Sequence, residues 1–395
     1  MMSPYHENKD FTLYHGDSFQ LLEELEEEVD MVFADPPYFL SKGFTMRSKG
    51  RVKCFDKGEW DKERPLSEVN DFNMKWLSSC RNVLKENGTI WVSGTYHNIY
   101  SVANCMVELG YKILNIVVWN KPDAPRTLSE YHFNFSAEYI IWARKSKEKR
   151  HYFNNELMTL VNGGKRMSDV WNIPTTGLWE KTCGKHPTQK PLRLLYRIIL
   201  ASTEEDNLIL DPFAGSCTTG IAANLLNRRF IGFDQSDEFL NLGIARRNEM
   251  EDVSIATKLL RKMSENPNDV MVMINHARKE LKEKMIETGI CYLRAGDSKG
   301  SLCVTPGFER MQYVLLHTAG DEVKVFRLKS KGQFQIWTKE TLEAHGFHPE
   351  HAPYYVVLLF DNTQEISLNK KINIKERLNT YRARIRPLSD FIGIK

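Results

Sequence analysis

Asp35 stands at the end of an apolar run and is followed directly by Pro36, Pro37 and Tyr38. The two prolines lack an N–H and have fixed φ, so a strand over V-D-M-V-F-A (29–34) must end there. Pro36 also disfavours the α region for Asp35 and holds its backbone extended. An acid and an aromatic ring are thereby presented at the carboxyl end of a buried strand, the edge where open α/β sheets bind ligands. Taken alone, D-P-P-Y suits equally well a capped turn whose Asp hydrogen-bonds its own loop.

A second group of residues has the logic of a nucleotide site. In L-I-L-D-P-F-A-G-S-C-T-T-G (208–220) a buried strand ends in Asp211, and Gly215 lets a ligand approach the turn backbone. The helix that follows offers free N–H groups at its start. The next strand, R-F-I-G-F-D (229–234), ends in Asp234, 23 residues after Asp211. That is about the spacing at which such folds place a carboxylate on a ribose. A dinucleotide fingerprint would need G-x-G-x-x-G; here only Gly215 and Gly220 are present, with Cys217 between them. The pattern therefore favours an adenosine without a pyrophosphate.

The elements that must position these residues alternate along the chain. Strands are expected at 11–17, 29–34, 89–94, 113–119, 137–143, 207–211 and 229–234. Helices are expected at 18–27, near 98–109 and at 190–202. A further helix carries Phe72, Trp76, Cys80 and Leu84 at i, i+4 spacing and ends near Gly88. Strands interleaved with helices indicate a largely parallel α/β sheet. Residues 41–65 read as a polar loop, 144–185 as a loop-rich insertion and 251–289 as a charged helical connector. Residues 290–395 read as a smaller α/β domain with a basic tail.

With 395 residues the chain is long enough for two or three domains. Its formal charge of +3 does not by itself announce a nucleic-acid binder. Residues 251–395 carry 23 Lys and Arg against 18 Asp and Glu, which places the basic excess in the C-terminal part. Arg382, Arg384 and Arg386 would share one face of an extended segment and are candidates for phosphate contact. The seven scattered cysteines, with no C-x-x-C, point to reduced thiols in a cytoplasmic protein and against a zinc site. His345, His348 and His351 read as a polar loop, and no metal site is expected. No apolar run approaches a membrane span.

D-P-P-Y (35–38), H-P-T-Q-K-P (186–191) and D-P-F-A-G-S-C-T-T-G (211–220), in that order, resemble the β-class amino-methyltransferases of bacterial DNA. The resemblance covers roughly residues 10–250, and Cys217 stands where that family's motif carries Gly. It implies a Rossmann-like methyltransferase sheet with helices on both faces, S-adenosylmethionine as cofactor and double-stranded DNA as substrate. By the same resemblance Asp35, Pro36, Pro37 and Tyr38 act on a flipped-out base. Asp17, Thr188, Lys190, Asp211, Phe213, Gly215 and Asp234 surround the cofactor, with Lys190 facing its carboxylate. Asp at the first motif position leans toward N6 of adenine, and N4 of cytosine is the alternative. RNA or protein-glutamine methylation and an inactive DNA-binding relic are further readings. A homodimer and a cognate restriction nuclease are the partners such an enzyme would have.

Overall fold

The computed structural model describes residues 3–387 except 40–43, 49–50, 56–61, 126–130, 178–179, 252–270, 296–310, 319–322, 330–333, 350–351 and 366–383. Two compact units emerge. The first comprises Met1–Asn154, Ser168–Gly177 and Lys185–Gly243, and the second Asn155–Met167, Leu178–Gly184 and Ile244–Lys395. Parts of the stretch read as an insertion into the first domain thus belong to the second unit.

The first unit opens with β1 (His6–Asn8), β2 (Phe11–His15), α1 (Ser18–Glu24) and β3 (Val29–Ala34). A hairpin of β4 (Phe44–Ser48) and β5 (Arg51–Phe55) occupies part of the stretch expected to be loop. Then come α2 (Leu66–Val83), β6 (Leu84–Gly94), α3 (Ile99–Glu108), β7 (Lys112–Asn120) and β8 (Ala137–Arg144). After α4 (Asn155–Val161), which belongs to the second unit, the chain returns through β9 (Val170–Asn172) and α5 (Leu192–Ser202). The unit continues through β10 (Leu208–Asp211), α6 (Thr218–Leu225) and β11 (Arg229–Asp234) into α7 (Asp237–Glu251).

These strands form one sheet in the order β1-β2-β11-β10-β3-β6-β8-β7-β9. It is parallel from β2 through β6 and antiparallel at β6–β8 and β8–β7. The sequence between β7 and β8 holds no helix-length periodic segment, so the chain returns antiparallel instead of crossing over. Three-residue β9 is too short to show alternation. Its backbone nevertheless pairs with β7, and Trp171 comes within 6.2 Å of Trp91.

Alternation along the strands sends side chains to two helix layers. Val32, Ala34, Ile90, Val92, Leu210 and Phe233 join Trp76, Leu77, Val102 and Met106 of α2 and α3 in one buried cluster. On the other face Trp91 donates to Ser202 of α5, and a Cβ on Gly220 of α6 would meet Phe230 at 2.4 Å and Phe11 at 2.6 Å. That close approach of α6 to the sheet is possible only without a side chain at 220. From β3 the chain crosses α2 to β6 on one side, and from β10 it crosses α6 to β11 on the other. The carboxyl ends of β3 and β10 therefore flank the point where strand order reverses, where such sheets open a crevice.

In the second unit β12 (Met271–His276), β13 (Ile290–Arg294), β14 (Met311–His317), β15 (Lys324–Leu328), β16 (Gln335–Thr338), β17 (Tyr354–Glu365) and β18 (Arg384–Pro387) form another sheet. Helices α8 (Lys279–Thr288) and α9 (Lys339–Ala344) accompany it. Within the stretch expected as a helical connector, 279–288 is the helix α8, while 271–276 is the strand β12 instead. Its six residues lie parallel to β14 with Val272 buried, and the flanking charged residues had hidden it. Residues 252–270 lie outside the described residues.

Candidate active site

Asp35 leaves β3 in the strand's direction and meets three other elements at the sheet edge. Its Oδ2 accepts a hydrogen bond and ion pair from Lys190, and its Oδ1 accepts from the Tyr38 hydroxyl at 2.6 Å. That hydroxyl lies 2.8 Å from Ser93 Oγ, near the end of β6, and 3.4 Å from Glu138 Oε2, at the start of β8. Glu138 pairs with Lys121 at 2.8 Å and stands 3.8 Å from Lys190 Nζ. Burial pushes the Asp35 carboxyl up, but Lys190 and the hydrogen bonds of Lys190, Tyr38 and Ser93 outweigh it and hold the group below its ordinary range. Burial opposes the charge on Lys190, while Asp35 and Glu138 hold its ammonium protonated above the usual value. Burial and then Asp35 raise the Tyr38 phenol well beyond its ordinary range, so it remains a donor. The sequence expected Lys190 to face a cofactor carboxylate; here it is engaged by Asp35 and Glu138.

Phe39, next after the motif, has φ +54°, a left-handed conformation that costs a residue with a Cβ about 1–2 kcal/mol. Edge-on packing against Phe72 at 5.3 Å and Arg64 over its ring at 5.2 Å oppose that strain.

A cavity of about 620 Å³ opens here, lined by Asp35, Pro36, Pro37, Tyr38 and all seven residues expected around a cofactor: Asp17, Thr188, Lys190, Asp211, Phe213, Gly215 and Asp234. Asp17 caps α1 by accepting from Phe19 N at 2.8 Å, and its other oxygen accepts from Gln235. Asp211 is buried and accepts from Thr219 Oγ1 and Phe213 N; burial pushes its carboxyl up to about 7. Asp234 accepts from Gly215 N and Ser236 N, each at 2.8 Å, while burial raises its carboxyl above the ordinary value. Ser18 Oγ donates to the Pro212 carbonyl, tying the turn after β2 to the turn after β10. Gly215 has φ +50°, and a Cβ there would stand 3.0 Å from His186 Nε2. His186 also packs edge-on to Phe239 at 4.2 Å and accepts a hydrogen bond from Thr188 N.

Cys217 caps α6 at φ +56° in the left-handed region. Its sulfur fills the space above Gly243 of α7, where a Cβ would come within 2.3 Å. Phe19, Phe72, Trp76 and Phe213 form a continuous aromatic wall, with ring centroids 5.4–6.3 Å apart. Ser93 and Glu138 carried no motif that sequence reasoning could use; the β6–β8–β7 register brings both to the Tyr38 hydroxyl, and Lys121 to Glu138.

Arg382 lies outside the described residues. Arg384 and Arg386 fall on β18 in the second unit, whose backbone pairs antiparallel with β12. His351 is also outside the described residues. Among the described ones no group of three or more His, Cys, Asp or Glu residues could hold a metal ion.

Comparison with known proteins gives one answer. The model of the DNA methylase family matches residues 29–246. Type II methyltransferase M2.MboI of Moraxella bovis is 48% identical over 255 residues, covering 64% of this chain and 93% of its own. Type II methyltransferase M2.DpnII of Streptococcus pneumoniae is 50% identical over 248 residues, covering 62% and 92%. Among solved structures, the PvuII DNA methyltransferase (cytosine-N4-specific) aligns with a TM-score of 0.50 at 21% identity over 67% of this chain and 96% of that one, a likeness of fold. With D-P-P-Y and the strand–turn–helix of β10 and α6 around one cavity, and more than three-fifths of the chain matched to relatives along nearly their whole length, this chain belongs to the DNA methylase family and is a site-specific, S-adenosylmethionine-dependent DNA methyltransferase.

Proposed function

We propose that the methyl acceptor is the exocyclic N6 of an adenine flipped out of duplex DNA. The observation that carries this reading is Asp35, held ionised in the lining of the cavity beside the Pro36 carbonyl. The amine of adenine is a poor nucleophile because its lone pair is delocalised into the ring. Two acceptors at the D-P-P elbow would draw its N–H groups out of the ring plane and favour the positive charge that develops on nitrogen. Asp35 needs no prior deprotonation for this. When the amine engages Asp35, Glu138 gives Lys190 a second anion at 3.8 Å. Tyr38 lies with Asp35 in the cavity lining, where its ring would bound the base.

The residues present fit the cofactor. Gly215 leaves room at a turn where a side chain would collide, two carboxylates end neighbouring strands, and Phe19, Phe72 and Phe213 give the cavity an aromatic lining. S-adenosylmethionine supplies a methyl group on a positively charged sulfur. Asp234 would hold the ribose hydroxyls, Asp17 would lie near the adenine, and Thr188 would face the methionine end. The arrangement Asp-Pro-Pro-Tyr favours adenine over the N4-cytosine alternative.

Arg382, Arg384 and Arg386 would supply phosphate contacts, and residues 290–395 would serve as an appended DNA-contacting domain. The type II names of the relatives favour a companion restriction nuclease, and a homodimer is the second assembly in this reading. Five free cysteines among the described residues suit the reducing cytoplasm. Among those residues, no helix is long and apolar enough to cross a membrane. Transfer of a labelled methyl from S-adenosylmethionine to DNA, followed by nucleoside separation, tests the acceptor: N6-methyladenine is expected, and N4-methylcytosine would overturn the assignment.

A further inference from the structure

The loop before β8 carries an aromatic cluster that the catalytic residues leave unused. Phe133 is 97% exposed and Tyr131 99%. Two residues on from Phe133, Phe135 stacks on Tyr96 with ring centroids 5.4 Å apart and planes 17° from parallel. His132 lies 4.8 Å from Phe135, and His97 3.7 Å from Tyr96. Single exposed apolar side chains are ordinary, whereas a contiguous group on one edge marks a contact surface.

Its position says what it contacts. Tyr96 follows Ser93 by three residues and Phe135 precedes Glu138 by three, and both Ser93 and Glu138 lie within 3.4 Å of the Tyr38 hydroxyl. The stacked pair is thus rooted on the two strands that hold the D-P-P-Y motif, at the edge where substrate must arrive. A base that leaves the duplex for Asp35 opens a gap in the stack, and apolar side chains are the groups that fill such gaps.

We infer that Phe133, with Tyr131, is a wedge that enters duplex DNA and occupies the stack vacated by the target base, while the Tyr96–Phe135 pair braces the loop. This rests on the base-flipping reading above. It predicts a role confined to paired DNA, because a single strand has no stack to hold open.

The test compares native and heat-denatured fragments of unmethylated bacterial chromosomal DNA as acceptors of labelled methyl. For the double variant Tyr131→Ala/Phe133→Ala, the duplex rate should fall roughly 10–100-fold relative to the single-strand rate, the scale of one aromatic–base stack. Phe133→Leu should recover most of the loss, since an aliphatic wedge also fills a gap. Cofactor affinity by calorimetry should match the parent, which separates a lost wedge from a damaged fold. A duplex-to-single-strand ratio equal to that of the parent enzyme overturns the wedge. Analysis of the methylated nucleoside in the same samples decides the acceptor base separately, so a cytosine product would correct the base while the ratio still judges Phe133.

Discussion

Replacing Lys190 with Met removes one ammonium from a pair almost wholly withdrawn from water, with side-chain exposures of 8% for Lys190 and 16% for Asp35. Solvent screening therefore takes little from the interaction. Breaking such a pair while the other charge remains costs about 3–5 kcal/mol. Asp35 keeps its hydrogen bond from Tyr38, and the carboxyl has one further route of relief, which is to bind a proton. In the parent, burial is the largest single influence, and Lys190 with the hydrogen bonds of Tyr38 and Ser93 together outweigh it; in the variant the Lys190 share is lost and the carboxyl moves up. The sign of the pH effect follows. A depressed Asp35 stabilises the parent above about pH 4, the unfolded value, and that contribution is lost as pH falls through the folded value below it. A raised Asp35 reverses this, so the variant is weakest near neutrality and its deficit narrows toward acid. Single-turnover methyl transfer from about pH 5 to 9 should show a falling acid limb in the variant alone. Its melting temperature should fall further below the parent's at neutral pH than at pH 5. Cofactor affinity by calorimetry should change by less than about threefold, under 1 kcal/mol. Superimposable pH profiles together with a tenfold loss of affinity would refute this account and assign Lys190 to the cofactor's carboxylate.

Asp35→Ala should leave cofactor binding nearly intact and lower methyl transfer by roughly 10²–10⁴, the scale for one positioned polar group; near-normal turnover would remove Asp35 from the chemistry. Asp234→Ala should act in the opposite way, weakening cofactor affinity by about 1.5–3 kcal/mol, the scale of charge-assisted hydrogen bonds. Unchanged affinity by calorimetry would mean the ribose is held elsewhere. Gly220→Ala sets a methyl against the Phe230 and Phe11 rings at 2.4 and 2.6 Å and should destabilise the first unit by about 1–3 kcal/mol. A thermal transition equal to the parent's would show that α6 can lift off the sheet without loss.

What the sequence made legible depended on range. β3 and β11 run over the residues their apolar patterns indicate, 29–34 and 229–234, because each is a local run stopped by an acid and a turn. The cofactor loop was readable for the same reason, since Asp211, Phe213 and Gly215 lie within five residues of one another. The network behind Asp35 was not. Ser93, Lys121, Glu138 and Lys190 come from two strands, the turn after β7 and the segment before α5, and no spacing along the chain relates them. Glu138 in particular begins an apolar run and looks like a strand's solvated first residue until Lys121, from the turn after β7, closes over it. β12 was hidden for a related reason: six apolar-leaning residues inside a charged stretch form a strand only because β14 and β18 lie on either side.

Cys217 and Gly243 carry a consequence for how this cofactor loop can change by mutation. The thiol sits in the notch that Gly243 leaves, so the two positions are epistatic. With Gly243 in place, position 217 can exchange Cys for Gly, trading filled volume for relief of a left-handed backbone. With any larger residue at 243, the sulfur would face a carbon at 2.3 Å and Cys217 would be shut out. A lineage can therefore acquire this cysteine only after α7 has a glycine at that point, and cannot lose the glycine while the cysteine stays. The shape of the loop is set in part from behind, by a helix that contributes Gly243 to the packing and no side chain at that point.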